Sequence, residues 1–106
     1  MKSLKTTKKT HMLNRIKRKI LSAYGKNLIS LAAFGTFIKY NDTQDDELYL
    51  VIVTKKKKNF EMKSRKNNIY VIEKTPENLK YTLWLKGAGL RILYDREGFL
   101  ENKMNL

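Results

Sequence analysis

The chain has no cysteine, one histidine, one proline and one tryptophan. Without cysteine it holds no disulfide and no thiolate metal site, and nothing speaks for an oxidising compartment. The single histidine, His11, lies in a basic N-terminal segment, which excludes a zinc centre built on histidines. No apolar run approaches the roughly 20 residues of a membrane helix, and the N-terminus lacks the apolar centre of a signal peptide. The expectation is a soluble, cytoplasmic protein without a membrane partner. Acids are scarce too: 10 Asp and Glu stand against 23 Lys and Arg, a formal charge of +13.

What is present suffices for a core. At 106 residues, with 42% hydrophobic and 10% aromatic side chains, the chain suits one globular domain rather than a disordered one. A basic flexible arm, disordered or a frayed helix start, is expected over residues 1–10 and a single domain over 11–106. The charge points to polyanions: nucleic acid, a nucleotide or an acidic protein. Lys predominates over Arg, the residue of bidentate recognition, so the charge favours nonspecific contact or a merely solvated surface.

From about His11, Leu13, Ile16, Ile20 and Tyr24 recur on one helical face, with Arg15, Arg18 and Lys19 away from it and Gly25 as the stop. Leu28 to Phe34 is a short continuous apolar run, the pattern of a strand covered on both faces. Gly35-Thr36 breaks it, Phe37 to Tyr40 allow one or two helical turns, and Asn41 to Asp46 form a polar loop. Glu47 to Val53 is a second strand, with Leu48, Leu50 and Ile52 on one side and Glu47, Tyr49, Val51 and Val53 on the other. Ile69 to Glu73 is a third. Thr75-Pro76-Glu77 opens a helix to about Lys86, with a hydroxyl cap, proline in the first position and an acid in the first turn. Leu90 to Tyr94 is a last strand, and Asp95 caps a terminal helix through Phe99, Leu100 and Met104. The expected fold is α+β: a short mixed sheet with helices packed on one face.

The stretch from Leu28 to Val53 organises the rest. A strand ending in Gly-Thr and turning into a helix presents backbone N–H groups to a phosphate. A carboxylate at the start of the next strand can hold the accompanying metal ion. Phe34-Gly35-Thr36 followed by Asp45-Asp46-Glu47-Leu48-Tyr49-Leu50 resembles the Gly-Ser and Asp-x-Asp segments of the minimal nucleotidyltransferases of the DNA polymerase β-like superfamily. Ile92-Leu93-Tyr94-Asp95-Arg96-Glu97-Gly98-Phe99-Leu100 resembles their C-terminal Leu-Tyr-Asp-x-x-Gly-Phe segment. The resemblance implies a nucleotidyltransferase-like sheet, triphosphate held at Gly35 and Thr36, and divalent cations, Mg2+ or Mn2+, held by three carboxylates.

The carboxylates are where the sequence departs from the pattern. Ungapped from Gly35-Thr36, the first metal position is Glu47 and the second Tyr49; the third falls on Ile69 to Ile72, at Tyr70. A phenol with a pKa of about 10 is a poor magnesium ligand at neutral pH. Glu73, the acid of that strand, belongs to the opposite face. A two-residue slip would instead pair Asp45 with Glu47; a one-residue slip pairs Asp46 with Leu48.

Three functions follow. The first is a catalytically impaired nucleotidyltransferase-fold protein that binds a nucleotide, nucleic acid or protein partner, with Tyr49 and Tyr70 filling the former carboxylate positions. The second is an active small transferase using Glu47 with Asp45 or Asp46, working beside a small helical partner of the HEPN type as an antitoxin. The third is a basic nucleic-acid-binding module using Lys55, Lys56, Lys57 and Lys58 with the first helix; the plain alternative for that run is a solvated loop that blunts a strand edge.

Overall fold

The computed structural model describes residues 4–35, 38, 47–60, 68–79 and 89–104. Helix α1 (Leu4–Tyr24) leads through a 3-10 turn (Gly25–Asn27) into strands β1 (Leu28–Phe34), β2 (Glu47–Thr54), β3 (Asn68–Lys74) and β4 (Arg91–Asp95); a second 3-10 turn (Arg96–Gly98) opens helix α2 (Phe99–Met104). The basic segment expected as an arm over 1–10 is therefore helical from Leu4 onward, and the helix begins earlier than the apolar stripe that starts at Leu13. Lysine and threonine there carry no apolar periodicity, but Lys is a good helix former and extends a nucleus held by tertiary packing further along.

The strands form one mixed sheet in the order β3-β2-β1-β4. β1 pairs antiparallel with β2 and with β4, and β2 pairs parallel with β3. Both β1 ladders carry a register shift, between Leu28 and Ser30 against β2 and between Leu31 and Ala32 against β4. The fold is α+β, as expected, with a helix on each side rather than on one face alone. On one face Leu28, Leu31, Ala33, Leu48, Leu50 and Ile52 are buried with Leu13, Ile16, Ile20 and Tyr24 of α1. On the other, Ala32, Phe34, Val51 and Val53 are buried with Leu79 and with Leu100 of α2. The reason lies in the central strands, which are apolar at odd and even positions alike and so leave neither face to water.

The helix expected from Thr75 to Lys86 is described only in its first turn. Residues 76–79 form a 3-10 turn, and 80–88 lie outside the described residues. The turn is closed by the Asn78 N–H donating to Thr75 O at 3.0 Å, and the Thr75 hydroxyl oxygen accepts the Asn78 side-chain Nδ2 at 3.3 Å. Leu79 points inward and is buried.

Candidate functional site

Gly35 ends β1 with a φ of 109°. A Cβ there would stand 2.5 Å from the Glu47 carbonyl oxygen and 3.0 Å from Tyr49 Cδ2. Glycine is thus required twice, by its backbone conformation and by the approach of the β1 end to the start of β2. Its carbonyl accepts the Ile38 N–H at 3.0 Å. Thr36, Asp45 and Asp46, the other acidic or phosphate-turn candidates of this stretch, lie outside the described residues.

Across the sheet from Gly35 the register lines up aromatic rings. Phe34 on β1 stands opposite Tyr49 on β2, and Tyr49 opposite Tyr70 on β3. Phe34 and Tyr49 stack with centroids 4.8 Å apart and an angle of 11°. Tyr49 and Tyr70 stack at 4.9 Å and 21°. Phe34 is 8% exposed and Tyr70 44%, so the row runs from the core to an open ring at the sheet edge. Offset stacks of this kind contribute about 0.5–1.5 kcal/mol per pair beyond area burial.

Glu47 keeps a carboxylate beside this row, and the Tyr49 hydroxyl donates to its Oε2 at 3.1 Å. That hydrogen bond pushes the Tyr49 phenol up, with desolvation and the Glu47 charge acting the same way. Tyr49 is therefore a protonated donor to the Glu47 carboxylate, the opposite of a metal ligand. Glu73 takes the other face, as strand alternation requires. Among the described residues no group of three or more His, Cys, Asp or Glu is gathered closely enough to hold a metal ion.

Glu73 instead joins three elements. Its Oε2 accepts the Tyr24 hydroxyl of α1 at 2.5 Å and the Lys58 N–H at 2.8 Å. Desolvation pushes this carboxyl up, but the Tyr24 hydroxyl and the backbone N–H groups of Lys58, Asn59 and Phe60 outweigh it and hold the group below the ordinary value. Burial, the bond to Glu73 and the Glu73 charge push the Tyr24 phenol well up. The loop after β2 wraps this carboxylate: Asn59 has a φ of 55°, and Phe60 packs on Tyr24 with centroids 5.9 Å apart.

The lysine run enters the same loop. Lys58 Nζ donates to Ala23 O at 2.7 Å, at the C-terminal end of α1, and stands 5.8 Å from the Tyr24 ring centre. It serves the fold. Lys55, Lys56 and Lys57 are exposed. They sit at the end of the sheet opposite Gly35, a strand length of about 26 Å away.

The Tyr94-Asp95-Arg96-Glu97-Gly98-Phe99 segment is likewise structural. Asp95 Oδ1 accepts the Ser30 hydroxyl at 2.5 Å and the Leu100 N–H at 2.7 Å, and Oδ2 accepts the Glu101 N–H at 3.0 Å. Glu97 and Gly98 have positive φ, 52° and 66°, and make the corner between β4 and α2. Sequence reasoning passed over Phe34, which anchors the ring stack, and the Tyr24–Glu73 bond. Phe34 had a signal, since it is an aromatic at the last position of an inner strand, next to the Gly35 turn. The Tyr24–Glu73 pair had none, being set by long-range packing. No family model matches the chain, and no curated protein matches it either.

Proposed function

We propose that this chain is a nucleotidyltransferase-like scaffold acting as a binding protein, and that it takes a nucleobase, from a nucleotide or a single-stranded nucleic acid, on the open ring of Tyr70. The scaffold reading is supported by a mixed sheet in which a glycine turn at the end of β1 lies directly against Glu47 at the start of β2. The loss of transfer chemistry is supported by tyrosines at the second and third carboxylate positions of the resembled pattern, one of them hydrogen-bonded to Glu47.

The observation that carries the base-binding step is the stack itself. Tyr49, itself stacked on Phe34, covers one face of the Tyr70 ring, which ends the row 44% exposed. A further flat ring continues such a stack at little conformational cost. Base–aromatic stacking contributes about 1–3 kcal/mol per base and tolerates any base, since each has a π-face.

Titration calorimetry with nucleoside monophosphates and short single-stranded oligonucleotides, without added metal, tests this. Tyr70→Ala should weaken binding roughly tenfold while Tyr70→Phe retains it. Absence of binding at low salt, or equal affinity in the Ala variant, refutes the base site. Transfer of label from ATP to any acceptor in the presence of magnesium or manganese refutes the non-catalytic reading and returns Glu47, with Asp45 or Asp46, to a metal role.

A further inference from the structure

The far end of the sheet carries a different surface. There the ends of all four strands bring basic residues into a row that follows the strand order. Lys74 closes β3 opposite Val53, and Lys55 follows β2. The Lys55 N–H donates to Asn27 O at 2.9 Å, which sets Lys26 beside it just ahead of β1. Arg96 follows β4, and its Nη2 donates to Lys26 O at 3.1 Å. Lys26, Lys55, Lys56 and Lys57 are exposed, and Lys74 and Arg96 half-buried. With strands about 4.8 Å apart, the row spans about 15 Å.

The loop that presents Lys55, Lys56 and Lys57 is held from below. Thr54 Oγ1 lies 3.1 Å from Asn27 O and 3.0 Å from Lys56 O, able to donate to one of them, and accepts the Lys56 N–H at 3.4 Å. Glu73 and Lys58 fasten the next residues to α1. Two acids at this end are engaged within the fold, Glu73 by Tyr24 and Lys58, and Asp95 by Ser30 and the start of α2. Three others are exposed: Glu77, three residues past Lys74, Glu101, whose N–H donates to Asp95, and Glu97, on the side of a groove of about 470 Å³ shared with Arg96, Phe99 and Lys103.

We infer that this basic rim is a docking surface for the phosphodiester backbone of single-stranded nucleic acid. It is a row rather than a pocket, which suits a linear polyanion read by charge. A lipid surface fits less well, because Tyr70, the exposed large hydrophobic residue among those described, lies at the opposite end of the sheet. The inference does not rest on the Tyr70 reading, which concerns the other end.

The test is the salt dependence of binding of a fluorescent oligothymidylate to the full chain. Each phosphate contact in a single strand contributes a slope of about −0.7 in log affinity against log salt, so Lys55→Gln/Lys56→Gln/Lys57→Gln should flatten the slope by about 2. A variant of equal charge on α1, Lys17→Gln/Arg18→Gln/Lys19→Gln, should change it much less. Circular dichroism establishes that both variants fold. The rim is refuted by no binding at low salt, by equal slopes in the two variants, or by an unchanged slope in the loop variant. Lysine-dependent binding of phosphatidylserine vesicles with none of the oligonucleotide refutes it too, in favour of a lipid headgroup. Tyr70→Ala should leave the slope unchanged, so the two proposals fail separately.

Discussion

Gly35 stands where the backbone of β1 meets that of β2, and two constraints fall on one residue: a φ of 109° and an approach that puts a Cβ at 2.5 Å from Glu47 O. Neither can be relieved by a side-chain rotation, because the obstacle is backbone. Gly35→Ala should therefore destabilise by about 2–4 kcal/mol, read as a drop in the midpoint of urea unfolding. A loss below about 0.5 kcal/mol would mean that the strand end shifts freely. The same geometry tempers what a Gly-Thr turn says about phosphate. The glycine is needed for packing whether or not an anion binds. That Tyr49 and Tyr70 are poor magnesium ligands was legible, because residue type suffices for it. That they stack with Phe34 follows from register, which only strand pairing sets.

At the scale of elements, β1 and β2 read directly from the sequence, since apolar runs bounded by Gly35 and by lysines leave little choice of ends. The join between β4 and α2 is where a single side chain holds two elements. Asp95 ties β4 to β1 through Ser30 and caps α2 through the N–H groups of Leu100 and Glu101. A helix of six residues does not persist on its own, so its place over Ala32 and Phe34 depends on this cap and on Leu100. Asp95→Ala should cost about 1–2 kcal/mol and raise amide exchange in α2 before it does so in β2. Uniform exchange throughout the chain would show instead that α2 and the sheet open as one unit. That the sheet is covered on both faces was written in the continuous apolar run of β1, although the expected fold placed the helices on one face. Which face the segments of Leu79 and Leu100 cover was not, because an apolar stripe does not say on which side of the sheet its helix packs.

For the molecule as a whole, Glu73 links β3, the loop after β2 and α1. Its carboxyl is held below the ordinary value of about 4.3 in the fold, so the native state binds fewer protons than the unfolded chain. The stabilisation is therefore complete above that ordinary value and is lost as pH falls through the lower folded one. Tyr24 acts in the other direction: its raised phenol keeps the donated proton, and the bond is lost only well above pH 10. Glu73→Gln should lower stability at pH 7 and show a smaller further loss between pH 6 and pH 3 than the parent chain in thermal melts. Equal acid sensitivity of the two would remove Glu73 from the linkage.

The sequence by itself determined the class of fold, the strands, the excess of positive charge and the absence of carboxylates at Tyr49 and Tyr70, because these follow from composition, alternation and residue chemistry over short stretches. Only the tertiary structure decided that the tyrosines join Phe34 in one stack, that Lys58 serves the fold, that Asp95 is bound to Ser30 as well as capping α2, and that Lys26, Lys55, Lys74 and Arg96 share one end of the sheet. Those relations join residues far apart in the chain, and what brings them together is strand order and register, which no local pattern encodes.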